Sequence, residues 1–122
     1  MQSNDPKKYD LEERTAKFSQ RILGLCKVLS KDIVSSPVIS QLVRSSTSIG
    51  ANYCEANNAE SRSDFKHKIG ICKKEAKETV YWLRMVLSLF PDKIDEVNSM
   101  SNEAKELTLI FGSIVKSTVA NS

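Results

Sequence analysis

Apolar residues recur along the chain at alternating steps of three and four, the spacing that keeps side chains on one face of an α-helix. The most regular of four such runs consists of Phe65, Ile69, Cys72, Ala76, Thr79, Leu83, Val86 and Phe90. A seven-residue repeat of this kind is typical of helices that pack in bundles. No segment alternates with period two, so the sequence predicts no β-strand.

Four predicted helices cover about residues 8–34, 37–58, 62–90 and 93–118. Ser36-Pro37 is a favourable start for the second helix, because serine caps free amides and proline fits the first turn. Ser61 is placed to cap the third helix, and Pro91-Asp92 separates it from the fourth. With such short connections, the sequence predicts one domain over residues 1–122, an all-α, up-down-up-down antiparallel four-helix bundle.

The stretch SIGANYCEA, residues 48–56, raises the question of a phosphate-binding loop because Gly50 lies among small residues. No GxxxxGK[ST] pattern is present and no strand precedes the glycine, so that alternative is rejected. The stretch is predicted to be the interior of the second helix, where Gly50 costs about 1 kcal/mol relative to alanine. We expect its small side chains to let a neighbouring helix approach closely.

Composition favours an ordinary globular protein. The 122 residues are 40% hydrophobic and 27% charged, and the polar first residues do not resemble a secretory signal. The longest near-apolar run, LTLIFGSIV, is too short to span a bilayer. Three cysteines without a CxxC pair predict reduced core thiols rather than disulfides or a zinc site, and hence a cytoplasmic location.

Enzymatic chemistry is not indicated by the titratable residues. A carboxylate-bridged di-iron bundle usually needs Glu-x-x-His on two helices, whereas this chain has a single histidine, His67, preceded by Asp64. We expect His67 to be solvated among lysines, which leaves no base for Ser-His or Cys-His catalysis. The sequence therefore predicts a protein that is not an enzyme, with no metal and no cofactor.

A second stripe on the third helix lies beside its core seam. It combines Ile71, Trp82, Met85 and Leu89 with the carboxylates Glu75 and Glu78. Four large apolar groups left in water would form the kind of patch that marks an interface, so we expect these four to bury against another subunit of a homo-oligomer.

A structural polar network is expected next to that stripe. Arg44 is the only basic residue between Lys31 and Arg62, and its planar guanidinium suits a bidentate carboxylate partner. The predicted network comprises Arg44, Glu55, Glu75 and Glu78. The alternatives are an exposed, unpaired Arg44 or a catalytic acid–base pair.

The net charge is only +3, but an excess of basic residues is concentrated in two segments. Residues 7–32 carry seven Lys/Arg against four Asp/Glu, and residues 61–90 carry seven against three. A predicted basic stripe on the third helix consists of Lys66, Lys73, Lys74, Lys77 and Arg84. It is either a solvated face or a phosphate-contacting surface, in which case binding depends mostly on the nucleic-acid backbone and weakly on sequence.

The run QLVRSSTSIGANYCEANNAESRSDFKHKIGICKKEAKETVYWL, residues 41–83, resembles a family encoded in intervening sequences of bacterial large-subunit ribosomal RNA genes. The residues that carry the resemblance are Arg44, Ser48, Asn52, Glu55, Ala59, Glu60, Ser61, Asp64, Phe65, Lys74, Glu75, Glu78, Trp82 and Leu83. Ala56 departs from the glycine that many members have there. The helix plan extends the resemblance over roughly residues 10–118.

The resemblance implies a four-helix bundle that assembles into ring-shaped homopentamers. A related branch contains the accessory variability determinants of diversity-generating retroelements, which bind nucleic acid and a reverse transcriptase through a basic surface. Two hypotheses therefore stand: an oligomeric accessory protein that binds DNA or RNA with weak sequence specificity, alone or with a reverse transcriptase, and a scaffold that binds only protein. Salt-sensitive nucleic-acid binding distinguishes them.

Overall fold

The computed structural model describes the backbone of residues 6–120 and the side chains of residues 11–118. It contains four α-helices, α1 (Pro6–Val28), α2 (Ser35–Asn57), α3 (Arg62–Leu89) and α4 (Ile94–Ala120), with a 3-10 turn at Pro91–Lys93. Within residues 6–120 there is no β-strand. The predicted all-α four-helix bundle is confirmed. Helix α3 packs extensively against both α2 and α4, while α1 packs mainly against α2.

The core consists mainly of side chains that recur at steps of three and four along the four helices, together with Cys26. The buried members of the four seams are Leu11, Phe18, Ile22, Leu25, Leu29, Ile39, Leu42, Ser46, Ile49, Tyr53, Ala56, Ile69, Cys72, Ala76, Thr79, Leu83, Val86, Val97, Met100, Ala104, Leu107 and Phe111. The aromatic rings of Tyr53 and Phe111 meet inside the bundle with their centroids 5.9 Å apart. Phe65, Phe90 and Ile114, at the ends of their seams, are half-buried.

Helix α1 ends at Val28, six residues before the predicted boundary at 34. The Nζ of Lys31 donates to the carbonyl oxygens of Cys26 and Leu29, at 2.9 and 3.0 Å, and so caps the end of the helix. Asp32 then caps the start of α2, because one carboxylate oxygen accepts hydrogen bonds from the amides of Val34 and Ser35. These bonds hold the pKa of Asp32 below its ordinary value. The predicted cap at Ser36 is replaced by this Asp32 turn.

The other boundaries lie within two residues of the predicted ones. Ser61 caps α3 as expected, since its hydroxyl oxygen accepts a hydrogen bond from the amide of Asp64 at 3.0 Å. After Leu89 the chain leaves the helix at Phe90, and Pro91 starts the 3-10 turn that leads into α4. Proline fits this position because the first residues of a helical turn have no internal partner for their amides.

Gly50 lies where α2 approaches α1. A Cβ atom built on Gly50 would be 3.0 Å from Oγ1 and 3.4 Å from Cβ of Thr15, which is buried. The Thr15 hydroxyl donates to the carbonyl oxygen of Leu11 at 2.8 Å, so it is fixed in place. The glycine therefore permits a close helix–helix contact, and the prediction of a helix interior at this stretch agrees with the structure.

Helices α1 and α4 meet through charged groups. The Arg14 guanidinium contacts Glu103 at 2.7 and 2.9 Å and Glu106 at 2.8 Å. These two carboxylates raise the pKa of Arg14 above its ordinary value. Farther along, Arg21 donates to the hydroxyl oxygen of Ser99 at 2.8 Å. The acidic side chains Glu103 and Glu106 are thus directed to the α1 side of α4.

Candidate nucleic-acid interface

The predicted basic stripe lies on the outer surface of α3. All five of its members are exposed: Lys66, Lys73, Lys74, Lys77 and Arg84. Among residues 11–118, none of these side chains forms a hydrogen bond or an ion pair. Their positive charge is therefore not neutralised within the part of the chain that the structure describes.

Helix α4 contributes a further cation to this surface. An open groove of about 500 Å³ runs between α3 and α4, and its lining residues are Lys77, Val80, Tyr81, Arg84, Lys105, Thr108 and Leu109. Lys105 is exposed and faces the same groove as Lys77 and Arg84. Sequence analysis missed Lys105, because its position relative to α3 depends on how the two helices pack. We call the five stripe residues together with Lys105 the basic face.

A second depression extends the basic face toward the start of α3. It has a volume of about 560 Å³ and is lined by Ser63, Lys66, His67, Gly70, Ile71, Lys74 and Val115. A Cβ atom built on Gly70 would have no neighbouring atom within 4 Å, so the surface is open between Lys66 and Lys74. Nearby, the side chain of Lys73 lies over Gly112 of α4, with Cε 3.6 Å from the place of a Cβ atom there. The cations thus follow α3 along most of its length.

Charge is segregated around α4. Glu103 and Glu106 point toward Arg14 of α1, whereas Lys105 points into the groove with α3. Because opposite charges reduce a surface potential only when they lie close by, this arrangement keeps the main acidic groups of α4 away from the basic face. The result is a one-sign surface suited to an extended polyanion.

The polar network forms on the other side of α3. Nη1 of Arg44 lies 3.1 Å from Oε1 of Glu75, and Nη2 contacts the carboxylate of Glu78. That carboxylate also accepts a hydrogen bond from the indole nitrogen of Trp82 at 2.8 Å. Gln41 completes the group by accepting from Nε of Arg44 at 2.8 Å. The network therefore ties α2 to α3 and orients Trp82.

Glu55 does not belong to this network. It pairs instead with Lys68 of α3, at 2.7 Å between Nζ and Oε1, and this contact raises the pKa of Lys68. Glu55 follows Arg44 by eleven residues on the same helix, which places it about 16 Å farther along the axis, beyond the reach of the guanidinium.

The predicted oligomer stripe is partly covered by the protein itself. Ile71, Trp82 and Met85 are half-buried, and Leu89 is exposed. The stripe lies beside the polar network at the outer border of α2 and α3, so its remaining apolar surface faces outward. Its burial against a second subunit stays a prediction.

The described part of the chain offers no metal-binding group of three or more His, Cys, Asp or Glu side chains. Cys26 and Cys72 are buried as expected, whereas Cys54 is only half-buried and its Sγ lies 3.1 Å from a carboxylate oxygen of Glu12. Burial raises the pKa of the Cys72 thiol to about 12. No helix described by the structure is both long and apolar enough to cross a membrane.

Comparison with known proteins settles the relationship that residues 41–83 suggested. A profile of the 23S rRNA-intervening sequence proteins matches residues 7–113, most of the chain. The protein belongs to the 23S rRNA-intervening sequence protein family. A crystal structure from Bacteroides thetaiotaomicron, described as a protein of unknown function from the S23 ribosomal protein family, is 37% identical. The match covers 86% of this chain and 97% of that one, with a TM-score of 0.78.

No functionally curated protein matches the chain. Neither the description of the 23S rRNA-intervening sequence family nor that of the Bacteroides protein names an enzymatic reaction. Neither description mentions a diversity-generating retroelement, so that relationship remains a prediction from the resemblance.

Proposed function

We propose that this member of the 23S rRNA-intervening sequence family is a non-enzymatic, homo-oligomeric protein that binds nucleic acid through its basic face. The observation that carries the proposal is the set of six exposed cations without ion-pair partners among the described residues. Surface lysines that serve only solubility are usually interspersed with acidic groups. Here Glu103 and Glu106 of α4 pair with Arg14, and Glu75 and Glu78 of α3 pair with Arg44, away from the basic face.

Binding of this kind is governed by the phosphate backbone. Lysines dominate the basic face, and a lysine acts as a point charge rather than as the planar fork that reads a base edge. We therefore expect weak sequence preference. One subunit offers few contacts, whereas a symmetric oligomer repeats the basic face and lets one polymer engage several copies.

The oligomer proposal rests on the apolar stripe. Trp82, Met85 and Leu89 leave apolar surface facing outward, although Glu78 and Arg44 already hold Trp82 in place. An ordered aromatic side chain at an apolar border is typical of an interface. The resemblance favours five subunits. Light scattering after size exclusion should give a mass several times that of the protomer, and Met85→Lys should lower it; a monomer mass for the wild type at micromolar concentration contradicts the proposal.

The function is tested by fluorescence anisotropy with labelled DNA and RNA oligonucleotides over a salt series. We expect the logarithm of the association constant to fall linearly with the logarithm of the salt concentration, by about 0.7–0.9 for each phosphate engaged. Absence of binding at about 50 mM salt, where such contacts are strong, would favour the protein-only scaffold instead. Binding that does not depend on salt would contradict a phosphate-directed surface.

The retroelement branch of the resemblance adds a reverse transcriptase as a partner, and the ribosomal RNA branch does not. Its gene neighbourhood distinguishes the two settings. A reverse transcriptase gene with a template repeat nearby favours the retroelement role, and a position inside a ribosomal RNA gene favours the role suggested by the family name.

A further inference from the structure

An aromatic ring is exposed within the basic face. Tyr81 is 51% exposed, whereas Phe65, Trp82 and Phe90 of the same segment are half-buried. The Tyr81 ring packs nearly edge-on against Trp82, with centroids 5.0 Å apart and an angle of 77° between the ring planes. Because Trp82 is itself anchored to Glu78, this contact supports Tyr81 while leaving about half of it open to solvent.

Cations flank the ring along the helix. Lys77 precedes Tyr81 by four residues and Arg84 follows it by three, spacings that make side chains neighbours on a helix surface. The two cations are about 10 Å apart along the axis. Across the groove, α4 contributes Lys105 and the 74% exposed side chain of Leu109. The groove therefore combines apolar and aromatic surface with three positive charges at its edges.

We propose that this groove binds single-stranded nucleic acid by stacking an unpaired base on Tyr81 while Lys77 and Arg84 contact the neighbouring phosphates. The inference rests on the proposed function and adds the class of nucleic acid. In a duplex the base faces are covered by their neighbours, so a duplex could engage the cations but would leave Tyr81 and Leu109 in water. A single strand offers its phosphates to the cations and its unpaired bases to Tyr81 at the same time. Every base has a face that can stack on an aromatic ring.

The experiment uses the full chain and three labelled ligands of about 12 nucleotides: an oligothymidine, an abasic single strand with the same number of phosphates, and a duplex. Stacking of one base contributes roughly 5- to 150-fold in affinity. We therefore expect oligothymidine to bind at least about 5-fold more tightly than the abasic strand. Tyr81→Leu should remove this difference and leave affinity for the abasic strand and the duplex unchanged, while Tyr81→Phe, which keeps the ring, should retain it.

A second readout does not depend on substitution. Trp82 is the single tryptophan of the chain and touches Tyr81, so its fluorescence should change on binding oligothymidine but not on binding the abasic strand. Equal affinity of the wild type for the base-bearing and abasic strands, or a Tyr81→Leu protein that still distinguishes them, overturns the stacking inference. Salt-sensitive binding that persists in that case would leave the proposed function intact. Failure to bind any of the three ligands would overturn the proposed function itself.

Discussion

Replacing Arg44 by alanine tests whether the network between α2 and α3 stabilises the bundle. The substitution removes the partner of Glu75, whose side chain is only 11% exposed, and of Glu78, which is 31% exposed. Stranding a fully buried charge costs about 3–5 kcal/mol, whereas breaking an exposed pair costs about 0–1 kcal/mol. Arg44 itself is 44% exposed, so water screens the interaction and the expected loss in free energy of unfolding is about 2 kcal/mol.

The matched control is Lys66→Ala, an exposed lysine with no ion pair among the described residues, for which we expect a loss below about 0.5 kcal/mol. A second variant, Arg44→Ala with Glu75→Gln, neutralises the more buried of the two stranded carboxylates and should be more stable than Arg44→Ala alone. The assay is denaturant unfolding at one fixed protein concentration, with midpoints compared only where the slopes agree. Equal losses for Arg44→Ala and Lys66→Ala would show that Arg44 behaves as an ordinary surface residue and that the reasoning is wrong.

Three further predictions concern Gly50 and the cysteines. Gly50→Ala gains about 1 kcal/mol in helix propensity, but it places a Cβ atom 3.0 Å from the fixed Thr15 hydroxyl. We expect denaturant unfolding to show a net loss of about 1 kcal/mol in the free energy of unfolding. The loss should be smaller when Thr15→Ala is added, and a stabilised Gly50→Ala protein would contradict this. Cys54 should react first with a thiol reagent at neutral pH, while the buried Cys72 stays protected. Between pH 9.0 and about 12 the Cys72 thiol keeps its proton in the folded state but loses it in the unfolded state. The free energy of unfolding should therefore fall as pH rises through that window, and it should fall less in Cys72→Ala.

Periodicity predicted the bundle because the spacing of apolar residues within one helix identifies the face that will be buried, whichever helices pack against it. Every seam residue from Ile69 to Val86 is buried, as the step pattern required. The end of α1 was predicted wrongly for a related reason. Leu29 lies in register with the seam and is buried, but it follows the helix, so the apolar pattern outlasts the helical backbone. No glycine or proline in 29–35 marks the end; side-chain caps from Lys31 and Asp32 produce it.

The candidate site was predictable only where it lies on one helix. The α3 lysines share a face and could be recognised from their spacing. Lys105 and Leu109 join them only because α4 packs beside α3, and a contact of that kind depends on helix rotation. The Arg14–Glu103 pair joins residues 89 positions apart and was missed for the same reason. The assignment of Glu55 to the Arg44 network was an avoidable error, because their separation of eleven residues on one helix already places Glu55 out of reach of Arg44.

A charge-reversal comparison tests the central claim, that the basic face on α3 and α4 is the nucleic-acid-binding surface. The first variant carries Lys73→Glu with Lys77→Glu on the basic face, and the second carries Lys17→Glu with Lys27→Glu on α1, which changes the net charge equally at exposed positions. Affinity for oligonucleotides of several sequences is measured over a salt series, after light scattering has shown that both variants keep the wild-type mass. We predict that the first variant binds all sequences more weakly and with a shallower salt dependence, while the second stays much closer to the wild type. Equal affinities for the two variants, or a first variant that binds as the wild type does, would contradict the assignment of this face.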